Sequence, residues 1–384
     1  MINIDDKTIC SGCSACVNLC PQKCMFMETD KMGFSYPVVN IIKCVDCGLC
    51  EKICPGLKKV ADGKNKQLIV YAAQNTDEKM RMASSSGGLF ATFAQYIISQ
   101  GGVVFGAAFN NTFRSVHHIA VQTTQELYKV QGSKYVQSDV ESSYRLARDF
   151  LDQGKKVLFS GTLCQIEGLK AFLHKEYENL YLLDIVCYGV PSPGVWNEYV
   201  DFLEKKYHGR TIGVAFRDKR KGWKDYVVSI KFDNGKEYIN SRSEDLYMRG
   251  FLHDYYLRPA CYQCNFKSLN RGSDITLGDL WGIEKIVPKL DDDKGTSLVM
   301  ISSAKGKELF ENVVSNIVCQ TVLIEDVVKY NPAIENNFHS LDRNCQAFEK
   351  TFGSKPIATL LNQYCSSSIF KKMIRKIKRV LKRK

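Results

Sequence analysis

At 384 residues the chain is long enough for two or three domains. With 45% hydrophobic and 24% charged residues it has the make-up of a soluble globular protein, and no run reaches the ~18 apolar residues of a membrane span. The net charge of +12 does not mark a nucleic-acid-binding body: nine Lys and Arg and no acid fall within residues 371–384, and without them the chain stands at +3.

Sixteen cysteines are many, and nine of them lie in the first 54 residues. In a short secreted chain they would pair as disulfides. This chain opens on Met1-Ile2-Asn3-Ile4-Asp5-Asp6 with no apolar run behind it, so no leader is expected, and metal ligation in a reducing cytoplasm is.

Residues 1–60 carry an internal repeat. Cys10, Cys13, Cys16, Cys20 and Pro21 recur 34 residues on as Cys44, Cys47, Cys50, Cys54 and Pro55, which implies two half-modules about a pseudo-twofold axis. Cys-x2-Cys-x2-Cys-x3-Cys-Pro is the spacing of bacterial ferredoxins. Three close thiolates wrap three corners of a four-iron cubane, and the fourth, before the proline, ligates the partner cluster. The expectation is two [4Fe–4S] clusters, one on Cys10, Cys13, Cys16 and Cys54, the other on Cys44, Cys47, Cys50 and Cys20. A zinc ribbon needs neither the third cysteine nor the Cys-Pro ending. Cys24, just outside the first motif, reads as a bystander.

Lys58 to Gln67 is polar and reads as a linker. From Leu68 onward strands and helices alternate. Leu68–Ala73 is β-prone, Leu89–Ile98 reads as a helix behind the small-residue loop Ser84-Ser85-Ser86-Gly87-Gly88, and Gly102–Phe109 as a buried strand. Lys156–Ser160 and Tyr181–Val186 read as strands and Cys164–Leu173 as a helix. Val227–Phe232 and Lys236–Ile239 flank the hairpin turn Asp233-Asn234-Gly235. This order points to an α/β or α+β body, a mixed α/β fold rather than a clean doubly wound sheet. The segments are then 1–60, a dicluster module; 68–150 and 151–310, the two parts of the body; 311–365, an extension; and 366–384, a basic amphipathic helix.

Four further cysteines stand where strands end: Cys164, Cys187 and the close pair Cys261 and Cys264. Either they converge on a third cluster, or Cys164 and Cys187 are small buried apolar residues. The loop at 84–88 has two readings as well, a phosphate cradle at a helix N-terminus or a serine N-cap; Gly132-Ser133-Lys134-Tyr135 shares the ambiguity. Neither a Gly-x-Gly-x-x-Gly nor a Gly-x4-Gly-Lys-Ser/Thr motif occurs. His117 and His118 lie in a strand-like run, one of them facing solvent, and Cys319, Cys345 and Cys365 read as structural.

Several strings agree in order with one family. They are Ser84–Gly88, Gly132–Ser138, Gly161-Thr162-Leu163-Cys164-Gln165, Asp184-Ile185-Val186-Cys187-Tyr188-Gly189-Val190-Pro191, Phe216-Arg217-Asp218-Lys219, and Cys261-x2-Cys264 with Gly278-Asp279-Leu280-Trp281-Gly282. Residues 1–310 thereby resemble the coenzyme F420 hydrogenase/dehydrogenase beta-subunit family, whose members are iron–sulfur flavoproteins. The resemblance implies FAD beside Ser85, Ser86, Gly87, Gly88, Gly132, Ser133, Lys134, Tyr135 and Gln137. It also implies a third [4Fe–4S] cluster on Cys164, Cys187, Cys261 and Cys264, with Lys134, Arg217 and Lys219 as candidate contacts for flavin phosphate or substrate. One departure stands out: Leu163 replaces the family's usual proline.

The function so implied is an oxidoreductase coupling one-electron transfer through clusters to two-electron chemistry at FAD. Its substrate would be a small organic molecule or a deazaflavin-like cofactor, with a link to surface-polysaccharide synthesis; no catalytic residue is assigned. The alternatives are a non-enzymatic subunit that relays electrons to a redox partner protein, and a scaffold with structural clusters. In Ser366–Lys384 apolar side chains at helical spacing face basic ones, which suits peripheral contact with the inner face of a membrane or docking to an acidic partner, rather than nucleic acid.

Overall fold

The computed structural model describes residues 2–58, 68–336, 341 and 343–365. The reading of 366–384 as a helix lies outside the described residues, as does nearly all of the 58–67 linker.

The repeat at the N-terminus is visible in the backbone. Helices Ala15–Leu19 and Leu49–Ile53 are offset by the same 34 residues as the cysteines, and each is entered through left-handed conformations at matching positions: Gly12 and Ser14 in one copy (φ 73° and 59°), Asp46 and Gly48 in the other (φ 47° and 69°). Both helices end on a cysteine of nearly identical backbone, Cys20 (φ −55°, ψ 112°) and Cys54 (φ −61°, ψ 114°). Between the copies runs an antiparallel hairpin, β1 (Met25–Thr29) and β2 (Ser35–Val39).

The body is mixed α/β. Its strands in chain order are β3 (Ile69–Asn75), β4 (Val103–Phe109), β5 (Val116–Val121), β6 (Ser138–Asp139), β7 (Val157–Thr162), β8 (Leu180–Ile185), β9 (Thr211–Asp218), β10 (Val227–Phe232), β11 (Glu237–Ser241), β12 (Ile275–Asp279), β13 (Ser297–Ile301) and β14 (Ile317–Thr321). Nine of them form one sheet in the order β14-β3-β13-β12-β8-β7-β4-β5-β6. Its centre, β12-β8-β7-β4, is parallel, and β13, β3, β14 and β5 run antiparallel to their inner neighbours. β4 and the first residues of β7 and β8 read as apolar runs because both faces of the sheet are covered.

Alternation along those strands divides the core. Val104, Leu158, Tyr181 and Leu183 pack beneath helices Leu89–Ser99 and Ala304–Glu311. On the other face Val103, Phe105, Val157, Phe159 and Leu182 pack beneath Ser143–Asp152 and Leu163–Leu173, and Cys13, Ala15 and Ile53 of the N-terminal module belong to that same core. The expected hairpin is β10-β11, with Gly235 at φ 81° in its turn; with β9 it forms a small antiparallel sheet. Packed beside it are helix Pro193–Tyr207 and the helices Arg343–Thr351 and Ile357–Cys365. Among the described residues no helix is long and apolar enough to cross a membrane.

Candidate cluster and cofactor sites

The eight cysteines of the repeat line two hollows of similar size. Cys10, Cys13, Cys16 and Cys54 line one of about 370 Å³; Cys20, Cys44, Cys47 and Cys50 line the other, of about 410 Å³. Each hollow takes three cysteines from one copy and the last from the other. The physical cause is the matching cap geometry, which turns Cys20 and Cys54 away from the helices they terminate. Among the described residues no three His, Cys, Asp or Glu are gathered tightly enough for a single metal ion. The thiols instead stand around cavities, the arrangement a multi-iron cubane requires.

The two hollows differ in surroundings. The first is the inner one: Cys13 and Cys16 are buried, and burial together with the charge of Cys10 and Cys54 pushes the Cys13 thiol up to about 12 and that of Cys16 higher. The second opens outward. Cys47 is exposed, and the segment leading to it carries Ile41, Ile42 and Val45 at 70%, 95% and 63% exposure. Cys24, expected to be a bystander, is buried in the wall of this outer hollow with its sulfur 3.4 Å from that of Cys20.

The inner hollow sits against the body. A side chain at Gly168 would put a Cβ 2.9 Å from Cys13 Cβ, so the helix Leu163–Leu173 reaches the cysteine with bare backbone. Arg145 donates to the carbonyls of Val17 and Asn18 at 2.9 Å, and Asn18 donates to Glu141 O at 2.8 Å.

Cys164, Cys187, Cys261 and Cys264 converge beside it. Cys164 and Cys187 follow the carboxyl ends of neighbouring parallel strands, β7 and β8, where an open α/β sheet leaves a crevice. Burial, then the charges of Cys261, Cys164 and Cys264, drive the Cys187 thiol well above its ordinary value. Burial and then Cys164 and Cys264 push Cys261 up to about 12; burial and then Cys264 push Cys164 up to about 11. Cys164 also feels Cys13, and the hydroxyls of Ser11 and Thr162 stand beside its sulfur, Thr162 at 3.1 Å. Leu163, the departure from the family pattern, is buried as the first residue of the helix, and the reciprocal cap between Thr162 and Gln165 fixes the turn without a proline.

The two small-residue loops meet. The Ser133 amide and hydroxyl both donate to Ser85 Oγ, at 2.7 and 2.9 Å. Ser86 donates to Thr296 O and Gly87 N–H to Ser297 Oγ, and a Cβ on Gly87 would lie 2.4 Å from Ala73 O, so this end of the loop is laid against the sheet. Gly88, at φ 90°, rather than a serine starts the helix Leu89–Ser99, and no side chain caps it. Gly132 is exposed. Lys134, half-buried, donates to Gln131 O at 2.7 Å, and burial pulls its ammonium down to about 7.

Arg217 pairs with Asp279 at 2.7 Å and reaches Tyr135 Oη and Ser85 O at 3.4 Å, while its Nε is buried with no partner among the described residues. Lys219 donates to the carbonyls of Arg81, Ser86 and Lys294. Burial, Arg81 and Arg217 pull Lys219 down to about 7, yet three bonds to carbonyls use all three protons of the charged form. Gln137 faces the N-terminal module, donating to Ser11 O at 3.1 Å. The pair His117 and His118 is split between surface and core: His118 is buried and His117 is partly exposed.

A chain with two four-cysteine hollows and a third cysteine set, all packed on a mixed α/β body, is of the iron–sulfur class. Comparison with known proteins narrows it. Residues 9–56 match the 4Fe–4S dicluster domain, and residues 154–327 match the C terminus of the coenzyme F420 hydrogenase/dehydrogenase beta subunit. Residues 154–327 thus carry the C-terminal domain of that beta subunit, and a dicluster domain precedes it in the chain. A coenzyme F420-dependent sulfite reductase of Methanocaldococcus jannaschii is 24% identical over 331 residues, which are 80% of this chain and 46% of that protein, so the chain spans about half the length of this curated relative. A ferredoxin of the same organism is 38% identical over 52 residues, 13% of this chain and 77% of the ferredoxin. A chain of the F420-reducing [NiFe] hydrogenase complex from Methanosarcina barkeri superposes with a TM-score of 0.48 at 16% identity, over 76% of this chain and 94% of that one.

Proposed function

We propose that the chain is an iron–sulfur flavoprotein oxidoreductase that passes single electrons from the outer cluster, through the inner one and a third, to FAD held between the 84–88 and 132–138 loops. Cys20, Cys44, Cys47 and Cys50 would ligate the outer cluster, Cys10, Cys13, Cys16 and Cys54 the inner, and Cys164, Cys187, Cys261 and Cys264 the third.

The observation that carries this reading is contiguity. The inner hollow and the third set meet through Cys13, Ser11 and Cys164, and Ser11 is tied by Gln137 to the 132–138 loop. The cradle fits an anionic, carbonyl-bearing cofactor: Arg217 Nε is a buried donor with no partner among the described residues, and Lys134 donates to Gln131 O. FAD, when bound, supplies acceptance of electrons singly and their release as a hydride. The chain's own residues would do the rest. Ser85, Ser133 and Lys134 hold the cofactor's polar edge, and the sheet behind Gly87 excludes water.

The substrate would be a small organic molecule or a deazaflavin-like hydride carrier. A second reading, relay of electrons to a partner protein, is favoured at the outer end by the exposed apolar side chains of the segment leading to Cys47. Anaerobic purification with iron, sulfide and released-flavin analysis tests the proposal. About twelve irons and one FAD per chain are expected from three four-iron clusters; about eight irons and no flavin would overturn it.

A further inference from the structure

Arg258 is 1% exposed. Its Nε donates to Cys10 O at 2.7 Å, Nη1 to Gln137 Oε1 at 2.9 Å, and Nη2 to Ser35 O at 2.9 Å and toward Cys10 Sγ at 3.6 Å. The rings of Tyr36 and Phe34 lie 4.4 and 5.5 Å from the guanidinium carbon. Among the described residues no carboxylate is within ion-pairing distance. A guanidinium cannot shed its proton, and a buried cation without an anion is strongly disfavoured. Every acceptor around it is a neutral carbonyl or amide except one, the sulfur of Cys10.

We infer that Arg258 is the built-in counter-cation of the inner cluster and raises that cluster's reduction potential. Its missing anion is the thiolate-ligated cluster itself. Reduction adds one electron to the cluster, and a fixed positive charge in a low-dielectric setting stabilises the more negative state; the arginine neither gains nor loses an electron or proton. The surroundings are built around this placement. Gly12, between Cys10 and Cys13, has φ 73°, and a Cβ there would sit 2.7 Å from Arg258 Nη1, so the cysteine loop admits the guanidinium only as glycine. Arg258 also touches the third set, since its carbonyl accepts from Cys261 N at 2.8 Å.

The inference rests on the inner hollow holding a cluster, and the test separates the two. The full chain is purified or reconstituted without oxygen, its iron is counted, and its clusters are titrated with dithionite and mediators under electron paramagnetic resonance. Cys47→Ser marks the signal of the outer cluster. In Arg258→Met, iron is expected to stay at the wild-type value while one signal other than the marked one moves to lower potential. The move should be at least tenfold in reduced fraction, 59 mV for a one-electron couple. Arg258→Lys, which keeps the charge, is expected to recover most of the shift. Arg258→Gln, which keeps an amide for Cys10 O, serves as the neutral variant if methionine does not fold. An unmoved potential with full iron, or equal shifts in the lysine and neutral variants, would overturn the inference. A wild type short of eight irons would instead sink the assignment of the hollows.

Discussion

His118 shows how one buried side chain couples folding to pH. Its Nε2 lies 3.0 Å from Ser160 O, which can only accept, so Nε2 carries the proton and Nδ1 accepts from Ser138 Oγ at 2.8 Å. The ring stacks on Phe159, and burial pulls its pKa down to about 4. An unfolded histidine titrates near 6.5. Below that value the unfolded chain binds a proton that the folded one refuses, so stability is greatest above about pH 6.5 and is lost as pH falls toward 4. By pH 5 the loss is about 2 kcal/mol. Urea midpoints at pH 7 and pH 5 should differ in the wild type by more than in His118→Gln, and equal differences would show that His118 does not set the slope.

At the scale of elements, the duplicated helices carry a prediction that their shared cap geometry makes sharp. Each ends by sending its last cysteine to the other copy's hollow, so Cys54→Ala should damage the cluster of the first repeat although Cys54 belongs to the second. Electron paramagnetic resonance checks this: the signal lost in Cys54→Ala should be the one that Arg258→Met shifts, and loss of the Cys47→Ser signal instead would refute crossed ligation. The helix Leu163–Leu173 carries another. Its Gly168 lies with a would-be Cβ 2.9 Å from Cys13 and 2.7 Å from Tyr144 Oη, in a core with no slack. Gly168→Ala should therefore destabilise by about 1–3 kcal/mol through overpacking, despite alanine being the better helix former, and a lower urea midpoint would register it. An unchanged midpoint would mean that the module shifts away freely.

For the molecule as a whole, what the sequence reveals follows contact range. The cysteine repeat was legible because its spacing is local chemistry, and β4, β7 and β8 because burial on both faces leaves apolar runs; β12, with Thr276, Gly278 and Asp279, was not read as a strand. The β10-β11 hairpin announced itself through Asp233-Asn234-Gly235. Strand order was not legible: β3 and β14 are neighbours across more than 240 residues, and nothing in either string names the other. Nor was Arg258, separated by 248 residues from the cysteine it serves; its string, Leu257-Arg258-Pro259, has no motif. Gly12 held half of that signal, since a glycine inside Cys-x2-Cys points to a close approach without saying by what. Cys164, Cys187, Cys261 and Cys264 fall between these cases, because their proximity to strand ends was readable but their convergence depended on β7 and β8 lying side by side. That convergence gives the whole-molecule prediction. If the four hold a cluster of their own, Cys261→Ser should lower iron from about twelve to about eight per chain and leave both signals of the N-terminal module in place. The module is anchored independently, through Arg145, Asn18 and Gly168, so its clusters do not need the third set to be held. Iron unchanged at the wild-type value would remove Cys261 from the ligands, and loss of all three signals would mean that the third set organises the module it packs against.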